Sequence, residues 1–471
     1  MTRHPSWWVG IRTAAVLLPA FLIPLTTPLD VAHAGGGDAA RMENHVLPLN
    51  SKTPGLTELQ QSKGVDKLRQ LAATETSQPL LPRETVGPAR TYAPLSTKAS
   101  ERPTALTQHP LAATAVPVVR LPEPSHSMTP AECVRGLGTS QFYIKSRFAV
   151  CSGVQMNQVW RLNGRPAGTS SFDVMAIGTI PKDSRTVTIT YYFTGFTATG
   201  VNSAADMGIV TNGKIAQSWP ASVKYTQGGA KMPTTRTWAQ LLEKGSLKHT
   251  VTAAAGHGSA GAKTDSEFAV YQPTVAIKAP PGWVVSSPPT DHKLFILPPR
   301  WDKAAYLPNK TAGAAAFSIL PTLQYSTARN APERGVALHI QKAFTKPFTT
   351  LPPSTRKEFP GRTADAPLTR LYWDSTRRKE NYNVSVYNCK KYFGANYTAH
   401  NTKECDEYPF QSTYEGAARW KHDHLGEPNN FSVMPVKKQE NSAAGSLLAQ
   451  FYDKNRVLDG PDDGFLVAII S

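Results

Sequence analysis

The run Cys405-Asp406-Glu407-Tyr408-Pro409-Phe410-Gln411-Ser412-Thr413-Tyr414-Glu415-Gly416 places three carboxylates among aromatic residues and a proline. A carboxylate in apolar surroundings either shifts its pKa or finds a cation. Such groups suit proton transfer and the binding of hard cations. Asp406, Glu407 and Glu415 are therefore the catalytic candidates. Carboxylate and amide oxygens together favour Mg²⁺ or Mn²⁺. The sequence alone leaves open which of Asp406 and Glu407 is the base.

The elements that must carry these groups are legible nearby. Pro409 cannot continue a central ladder, so Glu407 and Tyr408 fall at a strand end. A second strand is expected over 430–436. The run Glu440-Asn441-Ser442-Ala443-Ala444-Gly445-Ser446 then opens a helix with Leu447, Leu448, Phe451 and Tyr452 on one face. Read locally, Asn441 fits a helix N-cap.

Four blocks in this order resemble the secreted bacterial deoxyribonucleases of the NucA/NucB family. They are Cys-Asp-Glu-Tyr-Pro-Phe at 405–410, Tyr414-Glu415-Gly416, Asn441-Ser442-Ala443-Ala444-Gly445-Ser446, and Asn455-Arg456-Val457-Leu458-Asp459-Gly460. The resemblance implies a small α+β domain over about 353–471 with a ββα-metal nuclease-like core. It also implies a metal-dependent endonuclease that cuts DNA with little sequence preference. The Asp406-Glu407 pair would stand where many such nucleases place a histidine base. Asn441, with Asp406, would ligate the metal.

Other candidates are weaker. His422-Asp423-His424 lies in a polar stretch that reads as a solvated loop, and His400 is treated alike. Gly258-Ser259-Ala260-Gly261 lacks the first glycine of a nucleophile elbow, since His257 stands there. Lys437, Lys438 and Arg370 are the candidate phosphate contacts; Arg377-Arg378-Lys379 and Lys390-Lys391 are further basic runs.

The rest of the chain frames this domain. Arg3, His4 and Arg12 precede an apolar stretch and Ala32-His33-Ala34, which reads as a signal peptide cleaved after Ala34, hence a secreted protein. Residues 35–130 are rich in Pro, Ala and Thr and read as a largely disordered linker, with helical spacing at 56–73. Residues 131–285 alternate polar and apolar side chains over 172–180, 186–193 and 267–277, as in an all-β sandwich. Asn163-Gly164 and Asn212-Gly213 read as turns. Residues 286–352 read as a connector, with helices at 312–320 and 331–344. In an oxidising compartment the economical pairings of four cysteines are Cys133 with Cys151 and Cys389 with Cys405, although three connectivities exist.

The net charge of +17 favours an anionic partner. Residues 351–471 hold 16 Lys+Arg against 15 Asp+Glu, so the basic excess lies upstream. DNA is the expected substrate, and the β-rich domain is a candidate for contact with cell-wall or other anionic polymer. No apolar run after the N-terminus is long enough for stable membrane insertion. Two rival readings are a nuclease toxin delivered against competitors and an inactive β-sandwich adhesin.

Overall fold

The computed structural model describes residues 40–50, 68, 70, 119–256, 264–286, 291–424 and 427–471. The expected signal peptide, the proline-rich 71–118 and the 258–261 run lie outside the described residues, as does most of the helix expected at 56–73. The described chain lies within one compact unit, Ala39–Ser471.

Two sheets share a core. The first runs, in spatial order, Trp283–Val285, Ala40–Pro48, Ala149–Leu162, Arg165–Thr179, Thr186–Gly200, Ser246–Ala253 and Tyr225–Gly229, with Phe142–Ser146 added beside Ala149–Leu162. The second runs Ala314–Phe317, Pro299–Ala304, Thr264–Lys278, Gly208–Trp219 and Thr234–Thr237, with Asp291–Lys293 beside Thr264–Lys278. Trp160, Phe172, Ile189, Tyr191, Tyr271 and Trp301 fill the space between them. The strands alternate inward and outward as their sequences require: Thr186, Thr188, Thr190 and Thr194 point away while Val187, Ile189, Tyr191 and Phe193 are buried.

Four expectations are corrected here. Ala40–Pro48, read as linker, is an inner strand pairing with Ala149–Leu162; its polar Glu43 is satisfied by Arg161 at 2.8 Å. Asn163-Gly164 is a turn with both φ positive, but Asn212-Gly213 lies within a strand. Gly213 is needed there because a Cβ would meet the Tyr271 hydroxyl at 1.8 Å. The supposed connector 286–352 is divided between the modules. Ala314–Phe317, expected as helix, is a buried strand of the second sheet.

The C-terminal module comprises β1 (Thr322–Ser326), α1 (Arg334–Thr345), β2 (Leu368–Thr369), α2 (Ser375–Phe393), β3 (Lys403–Tyr408), α3 (Arg419–Asp423), β4 (Ser432–Lys437), α4 (Lys438–Lys454) and β5 (Gly464–Ile470). β5 lies between β1, which it pairs in parallel, and β2. β3 and β4 form an antiparallel hairpin. α4 buries Ala443, Ala444, Leu447, Leu448, Phe451 and Tyr452, a stripe at helical spacing. The module's core also takes Leu323, Tyr325, Val336 and Ile340, all upstream of residue 353. A nuclease domain starting at 353 would therefore lack part of its own core.

Buried charges join the two modules. Arg456 forms an ion pair with Asp302 on strand Pro299–Ala304. Arg300 lies 3.1 Å from Asp463, and Arg147 donates to the Asn455 carbonyl at 2.8 Å and also pairs with Asp463. Three guanidiniums thus share two carboxylates out of water, and removal of one partner strands the others. Asp302→Ala is expected to lower stability by about 3–5 kcal/mol in denaturant melts. A 353–471 fragment is expected to show no cooperative unfolding transition by circular dichroism, because it lacks β1 and α1.

Candidate functional site

Strand β3 organises the site by its period of two. Glu404, Asp406 and Tyr408 share one face, while Cys405 and Glu407 take the other. α1 and α4 supply side chains to the first face, and α2 is bound to the second. The acidic pair Asp406-Glu407 is therefore split between opposite faces.

On the first face, Asp406 is buried and its Oδ2 accepts from His339 Nδ1 of α1 at 2.6 Å. His339 Nε2 lies 2.7 Å from the Ser432 hydroxyl of β4. With Asp406 ionised, its carboxylate can only accept, so Nδ1 carries a proton. This chain fixes the carboxylate from behind. Oδ1 of Asp406 makes no hydrogen bond among the described residues. Asn441 follows on α4; it is a residue of the first turn, whereas Lys437 is the N-cap, so the capping role does not apply. Its Nδ2 donates to Glu404 Oε2 at 3.0 Å.

On the second face, Glu407 is half-buried. Loss of hydration, then the charge of Asp406, pushes its pKa up to about 8, against the backbone N–H of Gln411, which lowers it. The disulfide Cys389–Cys405 ties this face to α2, with Cα atoms 6.1 Å apart. Cys133–Cys151 forms the second bond, so both expected pairings are present.

Glu415 is held elsewhere. Its two oxygens accept from the Thr369 backbone N–H at 2.9 Å and hydroxyl at 2.7 Å, and burial raises its pKa. It thus fastens the 411–418 loop to β2. Asn381 of α2 fastens the same loop, donating to the Gln411 carbonyl at 2.9 Å and accepting from Ala418 N–H at 2.8 Å. Gly416 is required there, since a Cβ would come within 2.3 Å of the Asn381 amide.

The basic candidates separate as well. Arg370 is buried, donates to the Val457 carbonyl at 3.0 Å and lies over the rings of Tyr306, Tyr372 and Tyr452. It is a structural clamp rather than a phosphate contact. Lys438 lies 3.7 Å from Glu404, while the Lys437 side chain is 75% exposed, 4.0 Å from Glu440. Asp423 pairs with Arg377 at 2.6 Å, and His422 lies 2.9 Å from Glu380, so the His-Asp-His run closes α3 onto α2. That run is a short helix and turn rather than a free loop. His400 stands exposed in a turn with φ of 56°.

Two residues of this site, Glu404 and His339, were not singled out from sequence. Glu404 carries a signal, since a strand puts positions 404 and 406 on one side. His339 carries none, because it lies among apolar helix positions far from the acidic run.

The hairpin and the helix after it thus gather Glu404, Asp406 and Asn441 on one face. Residues 362–467 match the family model Deoxyribonuclease NucA/NucB. The C-terminal domain is thus of the NucA/NucB deoxyribonuclease type, and DNA is the substrate that this type implies. No curated protein matches the chain. Among the described residues no helix is long and apolar enough to cross a membrane.

Glu407 yields a test of sign. Its folded pKa lies above the usual 4.5, so between about pH 4.5 and 8 the unfolded chain releases a proton that the folded chain keeps. Its contribution to stability is complete below pH 4.5 and falls across that window. Glu407→Gln is expected to flatten the fall, by at most about 1.4 kcal/mol per pH unit. Melts across that range check it, and an unchanged pH slope would contradict it.

Proposed function

We propose that the C-terminal domain hydrolyses DNA phosphodiester bonds endonucleolytically, using a divalent cation, with little dependence on sequence. The observation that carries this reading is the grouping of Glu404, Asp406 and Asn441 on one face of the hairpin and helix, within the segment that matches the family.

The donor set was weighed against a cation first. Among the described residues, no group of three or more His, Cys, Asp or Glu side chains could hold a metal ion. Asn441 adjoins Glu404, its Nδ2 donating to Oε2 at 3.0 Å, so a carboxylate and an amide side chain lie next to each other. That pair fits Mg²⁺ or Mn²⁺, because Mg²⁺ keeps several waters and takes few protein ligands. Glu404 joins Asn441 in this role, in place of Asp406. When bound, the cation would supply charge neutralisation at the scissile phosphate.

The chain's own residues then have distinct tasks. Asp406 is the general base: its Oδ1 takes the proton of the attacking water, while Oδ2 stays on His339. His339 and Ser432 hold that carboxylate in place. Glu407, on the opposite face and largely protonated near neutral pH, does not take part in the transfer. Lys437, exposed beside the start of α4, is placed to meet a phosphate. The two disulfides and Ala32-His33-Ala34 support export and action outside the cell.

The full chain is expected to nick plasmid DNA with Mg²⁺ or Mn²⁺ and to stop with chelator; undiminished nicking after exhaustive chelation would sink the metal mechanism. Asp406→Asn is expected to cost at least ~10²-fold in rate with the fold intact. Glu404→Gln and Asn441→Ala are expected to abolish the rise in melting temperature that added Mn²⁺ gives the unaltered protein. Retention of that rise in both variants would move the cation elsewhere.

A further inference from the structure

Helix α2 uses one side for the fold and leaves the other bare. Its inner side buries Arg377, Asn381, Ser385, Asn388 and Cys389. Its outer side exposes Tyr382 by 50%, Tyr387 by 63% and Phe393 by 39%. Lys379, Lys390 and Lys391 are exposed on the same helix, and none forms an ion pair among the described residues. The helix's own acid, Glu380, is taken by His422 at 2.9 Å. At about 100° per residue, Lys379 and Lys390 run down the middle of this side. Tyr382 and Phe393 fall along one edge, with Tyr387 and Lys391 along the other.

We infer that this outer face docks a single DNA strand, with the tyrosines stacking on unpaired bases and the lysines holding phosphates. Lysine is depleted in protein–protein interfaces, so exposed aromatics set among unpaired lysines fit a polyanion better than a protein partner. Stacking requires bases that are not already stacked in a duplex, and aromatic rings accept any base. A duplex would offer this face phosphates alone. The face is tied to the strand that carries Glu404 and Asp406, because Cys389 of α2 is bonded to Cys405 of β3. A strand held on α2 would thus stay anchored to the hairpin that carries the base. The inference rests on the deoxyribonuclease reading and adds a substrate form to it.

The test uses the full chain, with chelator present to prevent cleavage, and fluorescence anisotropy of a labelled oligothymidylate and a duplex of equal length. Tyr382→Ala with Tyr387→Ala is expected to weaken oligothymidylate binding at least ~10-fold and duplex binding less than about twofold. The same positions changed to Phe should bind like the unaltered protein, since the ring is kept. Lys390→Gln with Lys391→Gln should lower the salt dependence of binding. The inference is overturned if the alanine pair, with an unchanged circular dichroism spectrum, binds oligothymidylate normally. It is overturned equally if both probes weaken alike, or if the phenylalanine pair fails as the alanine pair does. Plasmid nicking with metal present reads the nuclease activity separately, so loss of either property is recognised without the other.

Discussion

The site depends on the alternation of a single six-residue strand, Lys403–Tyr408. Successive side chains on a strand point to opposite faces, so one run of sequence serves two environments. Glu404 and Asp406 meet α1 and α4, whereas Cys405 and Glu407 meet α2. Asp406 is held by His339, and Cys405 is held by Cys389. The base candidate is thus braced on one side by hydrogen bonds and on the other by a covalent bond one residue away. A slip of one residue in the pairing with β4 would exchange the two sets and dismantle both.

The same strand explains how two carboxylates in adjacent positions come to differ. Asp406 keeps one oxygen on a fixed donor, while the other makes no hydrogen bond among the described residues. Glu407 loses hydration and feels the neighbouring charge, so it favours the protonated form near neutrality. Environment, rather than residue type, separates the two carboxylates.

Much of this was legible in the sequence, and the misses have physical causes. The strand end at Pro409, the strand over 430–436, the helix α4 with its Leu447–Tyr452 stripe, and both disulfides follow from the place of proline, periodicity and cysteine spacing. The alternating strands of the β-rich module followed for the same reason. Ala40–Pro48 was missed because its burial depends on remote partners, Arg161 and Gln158, which satisfy polar Glu43 and Asn44. Arg370 looked like a phosphate contact because sequence does not show three tyrosine rings closing around it. The Asn212-Gly213 pair carries a turn signal, yet the glycine answers a close approach by Tyr271 instead. The acidic run itself announced a site. Which of its members face the helix depended on strand phase, and His339 came from an element with no local signal.

The order of strands in the C-terminal sheet has a consequence for the making of the protein. β5, the last strand of the chain, lies in the centre between β1 and β2, and its parallel partner β1 precedes it by more than a hundred residues. The segment just before it carries Arg456 and Asp463, which lock onto the β-rich module. Contacts so distant in sequence form late, after loop closure has been met. Until β5 meets β1, the acidic hairpin lacks the sheet that shares its core, so the module is completed only when segments more than a hundred residues apart come together.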